Sequence, residues 1–289
     1  TIRKLAREIV LIDIHEEKTI GEALDIQHGI PDMGISSVKA GTYADCKDCD
    51  LIIITAGRNR KRGESRLDLI AGNSAILKDV VDQMKPYYTK GGIMIVSNPV
   101  DVLVYQCTKW MGLPNGMVFG TGCILDSSRF TRLIADYTHL NTEVVKATIV
   151  GEHGDAQIPI WSRASIAGVP LQEYCENVGL KWDEEIRKEI SDKVREMGAT
   201  IIKGKGRTHY GIATCVCYLA EAVLNQRLTI APVSTMFQGE YGIEDVCLSV
   251  PSIIGVNGVE KRLEERWAEE EFQAFRQAAD KMKKVLKTL

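Results

Sequence analysis

Three runs of β-branched and aliphatic residues constrain this chain most. They are Glu8-Ile9-Val10-Leu11-Ile12-Asp13, Cys49-Asp50-Leu51-Ile52-Ile53-Ile54-Thr55-Ala56-Gly57 and Gly92-Ile93-Met94-Ile95-Val96-Ser97-Asn98-Pro99. Each is apolar throughout and ends in a polar or turn-forming residue, the pattern of a strand buried on both faces of a parallel sheet. Between them lie helical stretches, Thr19 to His28 with an acidic face and Leu67 to Met84 with Pro86 just beyond it. Strand and helix in alternation predict an α/β fold with helices on both faces of the sheet.

An acid ending the second strand of a dinucleotide-binding, Rossmann-type unit accepts hydrogen bonds from the adenosine ribose and repels a 2′-phosphate, so Asp13 favours NAD over NADP. The glycine-rich phosphate loop and its strand would lie roughly 20–30 residues upstream of Asp13. The sequence is therefore expected to begin inside the unit, with Thr1 to Ala6 as the tail of a helix. A chain lacking that strand is expected to fold poorly or to bind the cofactor weakly.

The pattern changes near Gly120, which predicts a dinucleotide-binding domain over 1–120 and an α+β substrate domain over 121–289. In the second half, helices are expected at Ser127 to Asp136, Asp183 to Ile202 and Tyr210 to Leu224, the last buried. Strands are expected at Val144 to Val150, Tyr241 to Val250 and Ile253 to Val256. One long C-terminal helix is expected from Val259 to Leu289, carrying Leu263, Trp267, Phe275, Met282 and Leu286 inward.

Chemistry concentrates at Ile149-Val150-Gly151-Glu152-His153-Gly154-Asp155, where an apolar run breaks into a polar cluster around one histidine. Two glycines let the backbone turn sharply there. A histidine so placed carries a proton near neutral pH, although alone it also reads as a structural residue of a turn. Asp126 and Arg129 lie three apart at a helix start and share a face. A carboxylate beside the imidazole would hold its tautomer and favour imidazolium, and a planar guanidinium suits a carboxylate ligand.

The net charge of −3 gives no reason to expect nucleic acid. No apolar run approaches the roughly 20 residues that cross a bilayer, and no secretory signal is visible. Eight cysteines, several in apolar runs, suit reduced thiols in a cytoplasmic protein. Cys46-Lys47-Asp48-Cys49 has the spacing of a redox or zinc pair, but no second pair or histidine joins it, so no metal is expected.

Six motifs occur in a fixed order: Asp13 ending its strand, Thr55-Ala56-Gly57, Gly63-Glu64-Ser65-Arg66, Ser97-Asn98-Pro99-Val100-Asp101, Leu125-Asp126-Ser127-Ser128-Arg129 and Gly151-Glu152-His153-Gly154-Asp155. Together they resemble the NAD-dependent 2-hydroxy-acid dehydrogenases, the lactate and malate dehydrogenases, over essentially the whole chain. That resemblance implies NAD as cofactor, a small 2-oxo or 2-hydroxy acid as substrate, and a homodimer or homotetramer. It implies His153 as proton donor and acceptor, Asp126 as its orienting carboxylate and Arg129 as the clamp on the substrate carboxylate. Arg66, on a closing loop, would polarise the reacting carbonyl, and Asn98 would contact substrate and nicotinamide. Asp13, Ala56, Gly57, Asn73, Val96, Asn98 and Thr121 would line the cofactor.

The same resemblance bears on the substrate. Arg60 stands where lactate dehydrogenases typically carry glutamine and malate dehydrogenases arginine, and Pro232, in Thr229-Ile230-Ala231-Pro232-Val233-Ser234, stands where threonine is common in lactate dehydrogenases. An arginine left without a partner carboxylate would cost about 3–5 kcal/mol, or about two to four powers of ten. On these two residues malate dehydrogenase is expected, most like the lactate-dehydrogenase-like group. L-lactate dehydrogenase is the alternative, supported by Glu64, Glu152 and Gly239-Glu240-Tyr241-Gly242-Ile243-Glu244-Asp245-Val246, and Arg60 also reads as one of three solvated basic residues. A catalytically silent oligomeric scaffold is the reading from another class. It rests only on the phosphate loop and is opposed by the complete set of His153, Asp126, Arg129, Arg66 and Asn98.

Overall fold

The computed structural model describes residues 1–33, 36–59 and 66–289, except the side chains of Met33 and Arg66. The three apolar runs are strands, β1 (Glu8–Leu11), β3 (Leu51–Ile54) and β4 (Gly92–Ile95), each shorter than its run. Between the first two come α1 (Glu16–Met33) and β2 (Ser37–Ala40). Then α2 (Arg66–Met84) leads to β4, and α3 (Val100–Met111) to β5 (Val118–Gly120). Parallel pairing of β3, β4 and β5 and of β1 with β2 gives the expected α/β architecture.

The parallel strands fall into two sheets. β1 and β2 form one, and β3-β4-β5 begin another of eight strands. In the doubly wound order a strand would stand between β1 and β3; among the described residues none does. The burial follows. β4 is buried along its length, whereas β3, at the sheet edge, leaves Ile53 41% exposed.

The second half continues the same sheet, because Gly120 of β5 pairs with Ser234 of β11 (Thr229–Gln238). Before β11 come α4 (Ile124–Thr138), β6 (Val145–Lys146), β7 (Ile149–Gly151), β8 (Gln157–Pro159), β9 (Ser165–Ile166), β10 (Val169–Pro170), α5 (Leu171–Asn177), α6 (Glu184–Lys205) and α7 (Tyr210–Leu224). After it come β12 (Glu244–Gly255), β13 (Gly258–Arg262) and α8 (Glu269–Leu286). The antiparallel part runs β5-β11-β12-β7-β8, with β13 on β12.

Four expectations change here. The strand at Val144 to Val150 is two, β6 and β7, in different sheets. β12 is unbroken through Pro251, which faces Pro232 of β11; two opposed prolines forfeit no bond at a non-hydrogen-bonded position of the ladder. The C-terminal helix does not begin at Val259. Gly258, at φ 85°, turns the chain back so that β13 pairs with β12, and α8 starts only where Glu271 Oε2 accepts from the Ala268 amide at 3.1 Å, a capping interaction. Finally, α7 is not wholly buried. Leu219, Ala222 and Val223 face the core while Tyr210 and Tyr218 are exposed.

The core packs the elements that carry the site against one another. Leu77, Val81 and Met84 of α2 meet Ile93 and Ile95 of β4 and Leu103 and Cys107 of α3. Phe130 and Ile134 of α4 pack with Ile190 and Val194 of α6, and the Phe130 ring meets Trp161 edge-on at 4.5 Å. Burial of one such ring stabilises by about 1.5–3 kcal/mol. No helix among the described residues is long and apolar enough to cross a membrane.

Candidate active site

β7 is fully buried, and the chain must leave it abruptly. Gly151 makes this possible at φ 91°, where a Cβ would lie 2.6 Å from Ile158 Cδ1. Gly154, at φ 149°, completes the turn, and His153 stands between them with its side chain 25% exposed.

The partner comes from α4. Its approach is set by Gly122, at φ 49°, where a Cβ would meet Ser249 Oγ at 2.2 Å and Ser234 N at 2.5 Å. The Ser249 hydroxyl also accepts from the Cys123 amide at 3.1 Å. Asp126 follows in the first turn, only 2% exposed. Its Oδ2 lies 2.6 Å from His153 Nδ1, and its Oδ1 accepts from Arg129 Nη1 at 3.0 Å. Gly122→Ala is therefore expected to destabilise the fold by about 3 kcal/mol and to displace Asp126. Thermal denaturation with parallel activity assays checks this, and an unchanged Tm with full activity would refute it.

Asp126 sits between two cations and supports both, while Arg129 opposes the His153 charge. Burial alone would depress the His153 pKa, but the charge and hydrogen bond of Asp126 outweigh it and hold the ring above its ordinary value. Burial pushes the Asp126 carboxyl up, and His153 and Arg129 more than offset this, so it stays ionised below its ordinary range. With Nδ1 turned to Asp126, Nε2 is the nitrogen left for a substrate.

Of the expected cofactor residues, Asp13 follows β1, Ala56 and Gly57 follow β3, Val96 and Asn98 follow β4 and Thr121 follows β5, at strand carboxyl ends where ligands of open α/β sheets sit, while Asn73 lies on α2. Asp13, just past β1, is exposed and accepts from the His15 amide at 3.0 Å. Ala56 and Gly57 are exposed, and a Cβ on Gly57 would crowd Ser97 Cβ at 3.3 Å. Asn73, 2% exposed, joins two of these segments: its Oδ1 accepts from the Arg58 amide at 2.9 Å and its Nδ2 donates to the Asn98 carbonyl at 2.6 Å. Val96 donates to the Ile54 carbonyl and Thr121 to that of Ile95, so both continue the pairing just past their strands. The exposed Asp13 carboxylate suits the ribose hydroxyls of NAD, and Gly57, without a Cβ, lets a ligand approach its backbone.

Two expected residues are not brought into view. Arg60 lies outside the described residues, as do Glu64 and Ser65, and of Arg66 only the main chain, opening α2, is described. Pro232 sits in mid-strand opposite Pro251, where the ladder accounts for it. Sequence reasoning assigned no role to Asp101, whose Oδ2 accepts from the His153 amide at 2.8 Å. An acid within the apolar run Val100 to Val104 was the available signal. No group of histidine, cysteine and acidic residues among those described could hold a metal.

Comparison with known proteins places the arrangement. Residues 1–120 match the family model of the lactate/malate dehydrogenase NAD binding domain, and residues 123–289 that of the lactate/malate dehydrogenase alpha/beta C-terminal domain. An L-lactate dehydrogenase of Acetivibrio thermocellus is 39% identical over 285 residues, 99% of this chain and 90% of that protein. One of Thermoanaerobacterium saccharolyticum is 42% identical over 282 residues, 98% and 91% of the two chains. The crystal structure of the minor L-lactate dehydrogenase of Enterococcus mundtii, in its ligands-bound form, superposes with a TM-score of 0.95 at 37% identity, covering 100% of this chain and 92% of that one. These relatives overturn the expectation of a malate dehydrogenase drawn from Arg60 and Pro232: two positions do not outweigh similarity to lactate enzymes along the whole chain. With the imidazole–carboxylate pair and the matching family models on both halves, the chain belongs to the lactate/malate dehydrogenase family and is an NAD-dependent 2-hydroxy-acid dehydrogenase.

Proposed function

We propose that this protein is an L-lactate dehydrogenase, interconverting pyruvate and L-lactate with NAD. The observation that carries the chemistry is the His153 Nδ1 to Asp126 Oδ2 contact of 2.6 Å, with Arg129 on the other carboxylate oxygen. The choice of lactate rests on the relatives named above.

In this reading residues 1–120 bind the cofactor and 121–289 the substrate. Arg129, with its side chain 12% exposed, takes the substrate carboxylate through N–H groups not used on Asp126. Gly198 of α6 stands beside that guanidinium, and a Cβ there would lie 3.9 Å from Nη2, in ordinary contact. Asn98 uses its Oδ1 on the Val100 amide at 3.3 Å, which leaves its NH2 for substrate and nicotinamide. Bound NADH supplies the hydride that the carbonyl carbon receives. His153 Nε2 delivers the proton to the carbonyl oxygen, and Asp126 steadies the imidazolium beforehand. Arg66, in the role the family resemblance implies, stabilises the developing alkoxide. In lactate oxidation the neutral ring takes the proton back.

Asp13, Ala56, Gly57, Asn73, Val96 and Thr121 line the cofactor. Eight free thiols suit a cytoplasmic enzyme. The exposed Ile20 and Leu24 of α1 favour a homodimer or homotetramer.

Steady-state rates with NADH test the substrate. The kcat/KM for pyruvate is expected to exceed that for oxaloacetate by at least about tenfold, or about 1.4 kcal/mol. A preference for oxaloacetate would overturn the lactate reading while leaving the dehydrogenase chemistry intact.

A further inference from the structure

Asp101, the second residue of α3, is 2% exposed and lies behind the catalytic pair. Its Oδ2 accepts the His153 main-chain N–H at 2.8 Å. Its Oδ1 is fully buried and has no hydrogen-bond partner among the described residues. Several groups act on this carboxyl: Ser234 from β11, His153 from the turn after β7, and Asp126 from α4. Two thiols also feel it, Cys123 before α4 and Cys247 on β12.

The contrast with Asp126 is informative. Asp126 has both oxygens engaged, by an imidazole and a guanidinium. Asp101 Oδ2 receives one neutral amide; the nearby Ser234 hydroxyl and the His153 charge favour its ionised form, while complete burial and the like charge of Asp126 oppose it and prevail, and by geometry Ser234 Oγ makes no hydrogen bond to it. A buried carboxylate in that position gives up its charge rather than remain unpartnered. A neutral acid needs only one acceptor for its hydroxyl, and the buried Ser234 Oγ is itself without a partner.

We propose that Asp101 is a positioning residue of the dehydrogenase reaction: a neutral carboxylic acid that anchors the His153 main chain to α3 and so aims the proton-carrying ring. It ties the helix that follows Asn98 to the turn that carries His153, so the groups touching substrate from the two halves keep one spacing. Burial holds the carboxyl's pKa above its ordinary value, in the same direction as the geometry. An ionised Asp101 would also raise His153, less than Asp126 does; as a neutral acid it leaves the support of imidazolium to Asp126. The proposal rests on the reading of His153 as the proton carrier.

Two variants of the full chain test it, Asp101→Leu and Asp101→Asn. The leucine has no acceptor for the His153 amide, and kcat for pyruvate reduction is expected to fall by roughly 10–100-fold with KM little changed, since a misplacement near 1 Å acts on the chemical step. Asparagine offers a carbonyl to the same amide and an NH2 where the acid has its hydroxyl. It is expected to recover most of that loss, with the pH midpoint of kcat/KM where the wild-type chain has it. A midpoint lowered by about one unit in Asp101→Asn would mean that an ionised Asp101 had been raising His153, and would overturn the neutral acid. Full kcat in Asp101→Leu would overturn the positioning role. If the leucine variant does not fold, Asp101→Asn decides alone: a tenfold loss of kcat there overturns the proposal, and near wild-type kcat with an unshifted midpoint supports it. Failure of the underlying reading would appear elsewhere, as full activity in a His153 variant.

Discussion

His153→Asn is expected to lower kcat for pyruvate reduction by about 10³–10⁴-fold while NADH binding stays as it is. Asparagine approximates the shape of the ring but carries no transferable proton at neutral pH, and a positioned acid–base group contributes about 10²–10⁴-fold. The upper end is expected because the two other carboxyl groups described beside His153 are not placed to replace it. Asp126 is 2% exposed and committed to His153 and Arg129, and Asp101 reaches His153 through its main chain. Steady-state kinetics give kcat, and titration of NADH fluorescence gives the affinity. Loss of NADH binding in step with kcat would show that the residue acts in folding and not in proton transfer.

The second large effect belongs to Asp126→Asn, and it has a sign as well as a size. Burial alone would depress the His153 pKa, and the Asp126 charge and hydrogen bond raise it past its ordinary value of 6.5. Pyruvate reduction needs the protonated ring, so its kcat/KM is full at low pH and is lost as pH rises through that elevated pKa. Lactate oxidation needs the neutral ring and shows the mirror image. Without the carboxylate, burial prevails, and the reduction limb moves to lower pH. The amide also turns Arg129 loose and can favour the wrong tautomer. A loss of about 10²–10⁴-fold in reduction at neutral pH is expected, partly regained in acid. Paired pH profiles for the two directions check this; profiles that move to higher pH would refute it.

Local sequence foretold some of this molecule well and some poorly, for reasons that differ by element. α7 occupies Tyr210–Leu224 as read, and α2 differs by one residue at its start, because long helices carry their signal in many side chains. β2 and β11 went unread: four residues are too few for a period, and β11 is buried through most of its length and shows no alternation. The join of β13 to α8 was read as helix because Leu263, Trp267, Phe275 and Met282 are apolar at helical spacing. Yet β13 turns back at Gly258 and pairs with β12, a contact that only the folded chain supplies.

For the site, Asp126 and Arg129 were legible as one helix face, since three residues along a helix set their distance. The 2.6 Å between His153 and Asp126 was not, because 27 residues separate them and only the meeting of α4 with the end of β7 closes the gap. Asp101 passed unnoticed for the same reason at 52 residues. The substrate was misread from Arg60 and Pro232. A residue type says what a side chain can bind, but specificity depends on where it points, and Pro232 has a sufficient cause in the β11–β12 ladder. The strand runs thus established the parallel sheet, which follows from local hydrophobic pattern, and the resemblance carried by the six motifs supplied NAD and the kind of reaction. The pairing of imidazole with carboxylate, the glycine-limited turns that permit it and the hidden acid behind the histidine follow from long-range packing, which no stretch of the chain encodes alone.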